Sequence, residues 1–573
     1  MRERLVPIFA LTVILAVTLV GCSGGQTSVN PSPLAALTAA AGDVSLMKGN
    51  AGSWAVAQVG VSLKTGDGVK TGDNSTAEIT FLDGSTIELE ANTEIDIVSL
   101  EISSETGSKI ITLNQIIGDT ISRVTHLVDS ESSYEIDTPG GTAGVRGSVM
   151  LVHVGADGTT LVTNQEGNIY VRGQGVEIDV PVGHSCIVEP GQPPQLVYNL
   201  TVASTVGGRV TAPGEETFAY NAGAVVSLNA VPYSGYTFVN WTGDVSEVGN
   251  LTAPSTTITM NDDYSITANF IQGQPIRTWF DLDGVRNDLA GTYVLMNNLD
   301  SATDGYDQLA SSTANDGRGW LPIGGPDAQF TGIFNGLGHA IEDLSINRPL
   351  DSYVGLFSYV YSGGVVKNIG VTNVAVTGDD SVGGLVGYNE GGSVSNSYST
   401  GTVSSTSGCA GGLVGVSRSN GSVSTSYSTS TVIGVSSVGG LVGEDDDTST
   451  LNNCYSTGSV SASSDAIGGL VGYCEGIVYH CYSTGSVTGG TSVGGLVGNI
   501  DDTGTANNSF WDMQTSGIRT SACGIGELTA EMRAISTFSG ADWDIVAVQS
   551  GQTDPAHTWN IVNNAAYPFL SWQ

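Results

Sequence analysis

The C-terminal half of this 573-residue chain repeats itself with a period of about 28 residues, and two independent markers hold that period in phase. The first is Val382-Gly-Gly-Leu385-Val-Gly387, which returns around Leu413, Leu441, Leu470 and Leu496 and is preceded by a degenerate Val354-Gly-Leu356-Phe357. The second is Ser397-Tyr398-Ser-Thr-Gly401, which returns at Tyr427, Tyr455 and Tyr482, with Phe510 taking the next turn. A unit this short cannot bury a core alone, so successive units must stack as a solenoid. The expected form is a right-handed parallel β-helix in which each coil lays short strands in register on the coil below. Leu and Val of the first marker then face inward, while its glycines allow tight corners and close approach of neighbouring coils. Tyr398, Tyr427, Tyr455 and Tyr482 form a column, which stacking alone explains; the sharper reading is a glycan-binding stripe.

Residue for residue, these markers resemble the GLUG-motif repeat of bacterial surface proteins, which also occurs ahead of some immunoglobulin-cleaving proteases. The approach, from Trp279-Phe-Asp-Leu282 to Phe330-Thr-Gly332-Ile-Phe334-Asn-Gly336-Leu-Gly338-His339, fits the same pattern. Residues 276–350 are therefore read as N-terminal coils and 351–509 as the repeats. Residues 510–573, with Phe510-Trp511-Asp512, Trp543, Trp559, Tyr567-Pro568-Phe569-Leu570 and Trp572, are read as an aromatic cap over the last coil's exposed edge.

The other end of the chain reads as an export signal. Met1-Arg-Glu-Arg4 is basic, and Leu5–Val20 is an apolar run suited to a signal peptide rather than a membrane span. It ends in Leu19-Val20-Gly21-Cys22, which is similar to the lipobox of bacterial lipoproteins. That resemblance implies removal of residues 1–21, lipidation of Cys22, and an extracytoplasmic chain held to the cell membrane or outer membrane. Residues 22–41, which include Ser23-Gly-Gly-Gln-Thr-Ser-Val-Asn-Pro-Ser-Pro33, then form a flexible tether.

Between tether and repeats, Pro190-Gly-Gln-Pro-Pro-Gln195 and Gln272-Gly-Gln-Pro275 mark boundaries. Residues 42–195 alternate in short strands, with Asp83-Gly84 suited to a hairpin turn. Gly42-Asp-Val44, Trp54, Gly66-Asp67-Gly-Val69-Lys-Thr71-Gly72, Thr138-Pro139 and Gly144-Val145-Arg146-Gly147 resemble the FecR domain, named for periplasmic sensors of iron-citrate uptake. The resemblance implies sensing, though the family signals to a cytoplasmic sigma factor through an N-terminal arm that a chain lipidated at Cys22 lacks. Arg146 is a candidate partner-binding residue, with an internal salt bridge as its simpler role. Residues 198–271, with Gly235-Tyr236-Thr-Phe238-Val-Asn-Trp241-Thr-Gly243-Asp244, resemble the internalin B-repeat, a small sandwich-like spacer. Tyr236 and Trp241 are candidates for sugar stacking or, more simply, for core filling.

Composition narrows the chemistry. With 79 glycines and 13% charged residues the chain differs from an ordinary enzyme and favours an all-β architecture. A net charge of −38 excludes nucleic acid as a natural partner and suits weak Ca2+ binding at acidic turns. Glu444-Asp-Asp-Asp447 and Asp501-Asp502 are read as solvated turn residues, with a glycosidase-type carboxylate pair as the alternative. The histidines (His126, His153, His184, His339, His480, His557) are scattered, so no zinc or catalytic site is expected and no cofactor is indicated. Cys186, Cys409, Cys454, Cys474, Cys481 and Cys523 show no metal-binding spacing, and buried thiols and disulfides remain equal alternatives. The expected function is a non-catalytic surface lipoprotein that binds a glycan or surface protein. An envelope sensor and a glycan-degrading β-helix enzyme are the alternatives.

Overall fold

A computed structural model describes residues 34–573 except 126, 128, 130 and 447. About half of the chain is strand, about 5% is helix, and the contacts divide it into two compact units. The segment read as a signal peptide, and Cys22 after it, lie outside the described residues.

The first unit contains the FecR-like segment, a mostly antiparallel array around one hydrophobic core in which Ser133–Asp137 pairs parallel with Lys109–Arg123. The tether drawn to residue 41 is too long: Ala35–Ala41 is already a strand, paired antiparallel with Thr76–Phe81. Ala35 and Leu37 alternate into the core, so burial rather than polarity decides this segment. Thr76–Phe81 and Thr86–Leu89 form the expected hairpin, with Gly84 at φ +86° in its turn. Asp67, fully buried, pins the neighbouring turns. Its carboxylate accepts from Lys48 Nζ at 2.7 Å, Gly49 N at 3.0 Å and Lys64 N at 3.1 Å. Asp67→Ala strands these donors and should lower the unit's stability by on the order of 3 kcal/mol. An unchanged denaturation midpoint for that unit would refute the assignment.

In the second unit, Tyr236–Gly243 pairs antiparallel with Tyr264–Gln272, and Gly208–Ala212, Val225–Pro232 and Ser255–Thr259 form a three-stranded sheet. The parallel stack begins at Gln274–Ile276, which pairs with Thr292–Leu295 and through it with Ile333–Asn335. Short helices interrupt these first coils. Trp279 and Trp320, rings 5.8 Å apart, belong with Phe330 and Phe334 to the same continuous core as the repeats.

From 333 to 511 the chain makes about six turns of a parallel β-solenoid. Each regular coil contributes to four separate sheets, as Val386–Glu390, Ser393–Ser395, Tyr398–Ser405 and Ala410–Gly411 do, and in later coils the tyrosine-bearing strand is split in two, as at Tyr427–Ser428 and Thr431–Gly434. Register is kept between like residues: Val386 pairs with Val414, then Val442, Val471 and Val497. Leu385, Leu413, Leu441, Leu470 and Leu496 are fully buried beside them. The two sequence markers are locked to each other by contact. A Cβ on Gly412 would lie 2.1 Å from Ser428 Oγ, and the same clash recurs between Gly440 and Ser456 at 2.2 Å. The serine after each tyrosine therefore packs on the second glycine of the Gly-Gly-Leu-Val-Gly unit.

The tail does more than cover an edge. Phe510–Asp512 and Ile525–Glu527 pair in parallel and extend the tyrosine-bearing sheet past the last coil. Residues beyond about 530 then fold back along that sheet, where Phe538, Trp543, Trp559 and Leu570 are buried against Tyr455, Tyr482 and Phe510. This departs from a simple end cap because the stacked tyrosines present the largest apolar surface for the tail to cover.

Candidate functional site

Within Tyr398–Ser405 and its equivalents, alternation sends the tyrosine outward and the following serine inward. In-register stacking then makes a ladder of near-parallel rings. Tyr398 and Tyr427 lie 5.0 Å apart, Tyr427 and Tyr455 4.8 Å, and Tyr455 and Tyr482 5.0 Å, with interplanar angles of 7° or less. Only half of this column is available to a ligand. Tyr455 and Tyr482 are buried under the tail, Tyr482 donating to the Pro568 carbonyl and Tyr455 accepting from Gln573 Nε2 at 2.7 Å. They belong to the core, which corrects the expectation that all four tyrosines line a binding stripe. Tyr398 and Tyr427 remain half-buried, with the Trp572 ring 6.2 Å and 5.7 Å from them. Trp572 is held by an indole N–H bond to the Thr425 carbonyl at 3.1 Å.

A second ladder runs beside the rings. The residue two before each ring position adopts a left-handed backbone at a corner, φ +55° at Asn368, +48° at Asn396 and +54° at Asn453. Asparagine tolerates that conformation better than most residues. Asn368 Nδ2 donates to Asn335 Oδ1 at 3.0 Å, and Asn396 Nδ2 donates to Asn368 Oδ1 at 3.1 Å. The ring column ends at Gly370, which pairs in register with Tyr398 and is covered by it; a Cβ there would meet the ring at 2.3 Å. Where the ladder stops, a groove of about 630 Å³ opens between Tyr398, Tyr427, Trp572, Gln573, Asn368 and Asn396. Burial raises the pKa of the Tyr398 and Tyr427 hydroxyls, and the Glu342 carboxylate adds to this at Tyr398, so both stay neutral donors at physiological pH. The asparagines carried a signal in sequence, the recurring Asn-x-aromatic of Asn396-Ser-Tyr398, Asn453-Cys-Tyr455 and Asn508-Ser-Phe510. Trp572 gave none as a groove wall, since its partners lie far away in the chain.

The remaining candidates are not brought to this groove. Trp241 is buried against Phe238, ring centroids 5.7 Å apart, and donates to the Ala253 carbonyl at 3.1 Å. It fills the small module's core and cannot stack on a ligand. Tyr236 packs over Gly207, where a Cβ would lie 2.2 Å from its ring. Arg146 is exposed, and among the described residues its guanidinium forms no ion pair, so the internal salt bridge is not made.

The acidic stretch at 444–446 is not a solvated turn. Glu444 and Asp445 belong to strand Val442–Asp445, Asp445 faces the interior, and Asp446 pairs with Arg418 at 3.1 Å; Asp447 lies outside the described residues. His153 and His557 each bond a single carboxylate, Asp119 and Asp544, at 2.7 Å, while His126 lies outside the described residues. Among the described residues no three His, Cys, Asp or Glu side chains gather as a metal site, and no helix is long and apolar enough to cross a membrane. All six cysteines of the described residues are free thiols.

Comparison with known proteins assigns the segments. Residues 67–170 match the family described as FecR protein, residues 198–274 the divergent InlB B-repeat domain, and residues 378–404 the GLUG motif. The chain carries all three modules. The FecR domain supports an extracytoplasmic regulatory or sensor module at the N-terminal end. Over 112 residues the chain is 38% identical to halomucin of Haloquadratum walsbyi, covering 19% of this chain and 1% of halomucin. Over 119 residues it is 37% identical to a candidate Gly-rich membrane protein of Evansella cellulosilytica, covering 20% of this chain and 13% of that protein. The chain thus spans only a small part of either relative. Among solved structures, a candidate immunoglobulin A1 protease from Bacteroides ovatus aligns over 53% of this chain and 93% of its own, with 19% identity and a TM-score of 0.39. A candidate anti-sigma factor from Parabacteroides distasonis aligns over 27% and 59%, with 15% identity and a TM-score of 0.19.

Proposed function

We propose that this chain is a non-catalytic binding protein of the cell envelope, exported and lipidated at Cys22, whose solenoid captures a glycan or a surface protein. The observation that carries the reading is the groove beside Tyr398. It joins exposed aromatic surface to fixed amides, the mixture by which binding sites combine apolar contact with a few orienting polar groups. Among the described residues, the side chains that line it include no carboxylate, imidazole or cation that general acid–base chemistry would use. Lipidation at Cys22 rests on the lipobox sequence, and palmitate labelling lost in Cys22→Ala tests it. The binding role is tested by presenting the purified full chain to an array of glycans, cell-wall polymers and surface proteins. Retention by at least one class is expected; a folded chain retained by none overturns the proposal.

A second reading rests on the FecR match at residues 67–170. In it the solenoid is the receptor arm of an envelope sensor, and a neighbouring membrane protein relays occupancy. Cross-linking that captures an envelope protein through the first unit, in a ligand-dependent way, is the expected result.

A further inference from the structure

Resting on that binding reading, we infer that the Tyr398–Tyr427–Trp572 groove takes an uncharged glycan chain lying along the solenoid axis. The groove is built by a periodic object and repeats its chemistry from coil to coil. Asn368 and Asn396 occupy equivalent corners of successive coils, and the Tyr398 and Tyr427 rings step by 5.0 Å along the same direction. A polymer with hydroxyls at regular intervals meets the same donors at each step.

The donor count supports a hydroxylated ligand. Each asparagine amide carries two N–H groups, and Asn368 and Asn396 each use one in the side-chain ladder, leaving one for another acceptor. The Tyr398 hydroxyl likewise makes no hydrogen bond to another described residue, whereas the Trp572 indole N–H is already used on Thr425. Trp572 therefore offers its ring, 38% exposed, as a contact surface for the C–H faces of sugar rings.

Two other ligand classes fit less well. An acidic polymer would need a cation, but among the described residues none lines the groove, and the chain carries 56 acidic against 18 basic residues. An extended peptide binds best to an unpaired strand edge. The strand Gly370–Gly378 that floors the groove is already paired on both sides, with Ala340–Glu342 and Tyr398–Ser405.

The test uses the purified full chain against neutral polysaccharides (β-glucan, mannan, chitin oligosaccharides), acidic ones (alginate, polygalacturonate) and immobilised surface proteins. Trp572→Ala should weaken neutral-glycan binding roughly tenfold or more. Gly338→Asn is the second variant: Gly338 lines the groove at φ +86° with open space beside it, so asparagine obstructs the groove without entering the core. It should weaken binding similarly while lowering the melting temperature only slightly, since asparagine tolerates a left-handed backbone better than most residues. Neutral glycans bound, and lost in both variants, support the inference. Binding of an acidic polymer or a protein that depends on Trp572 overturns it but leaves the binding reading intact. Neutral-glycan binding that survives both variants also overturns it, by placing the site elsewhere. Binding to nothing on the panel removes the proposed function itself.

Discussion

Gly468→Ala is expected to unfold the coil that carries it, although it adds a single methyl group. In the folded coil a Cβ at Gly468 would lie 1.8 Å from the Val471 carbonyl oxygen and 2.8 Å from both Gly498 N and Leu496 O of the next coil. All three neighbours are backbone, so no side chain can turn aside to relieve the contact. The equivalent distances to the same coil's own carbonyl are 2.1 Å at Gly383 and 1.9 Å at Gly411 and Gly439, so the requirement belongs to the architecture rather than to one position. None of these glycines has a positive φ, and the demand for glycine is purely one of space. The expected loss is about 3 kcal/mol or more, at the upper end for overpacking because the neighbours cannot repack. Coupling in a solenoid passes mainly between adjacent coils, so the damage should be local. Hydrogen exchange should accelerate across about 460–498 and much less near 354–405. Gly325→Ala, where a Cβ meets nothing within 4 Å, should cost less than about 0.5 kcal/mol. Equal exchange in the two variants would contradict the steric account.

The difference between those two glycines shows what a repeat makes legible. Gly468 is identifiable in sequence because parallel stacking places equivalent residues one above the other, so the period of the letters is the period of the structure. The inward Leu and Val and the tyrosine column follow from the same rule. The groove does not, because it forms where periodicity fails, at Gly370 in place of a tyrosine and under a tail whose Trp572 bonds a carbonyl 147 residues earlier. Local pattern carries no information about a contact at that separation. Trp241 was legible in part: a large aromatic in a small module has more to gain inside than outside, and it is inside. Asp445 was misread because charge suggested solvent. Its phase says otherwise, since it falls three residues after Val442 as Asn389 does after Val386 and Cys474 after Val471, and all three point inward.

That inward carboxylate should make the solenoid less stable in mildly alkaline than in mildly acidic solution. Asp445 Oδ1 accepts from Ser449 Oγ at 2.6 Å, but Oδ2 is buried with no hydrogen-bond partner. Burial pushes its pKa up to about 7; the Asp446 carboxylate adds to the rise and the Ser449 bond opposes it. An unfolded aspartate titrates near about 3.9. Below that value both states hold the proton and the coil has its full stability. As pH climbs from about 4 to about 7, the unfolded chain ionises while the folded one does not, and stability falls by about 1.4 kcal/mol per pH unit. Above about 7 both are ionised and the loss levels off, at on the order of 4 kcal/mol. Asp445→Asn keeps the shape and removes the proton, so the variant should differ little from the parent at pH 4 and be clearly more stable at pH 8. Hydrogen exchange across Val442–Cys474 reads the effect at its source, since other carboxylates titrate equally in both proteins. A gap between parent and variant that is the same at both pH values would show that Asp445 is not the buried acid whose ionisation opens this coil.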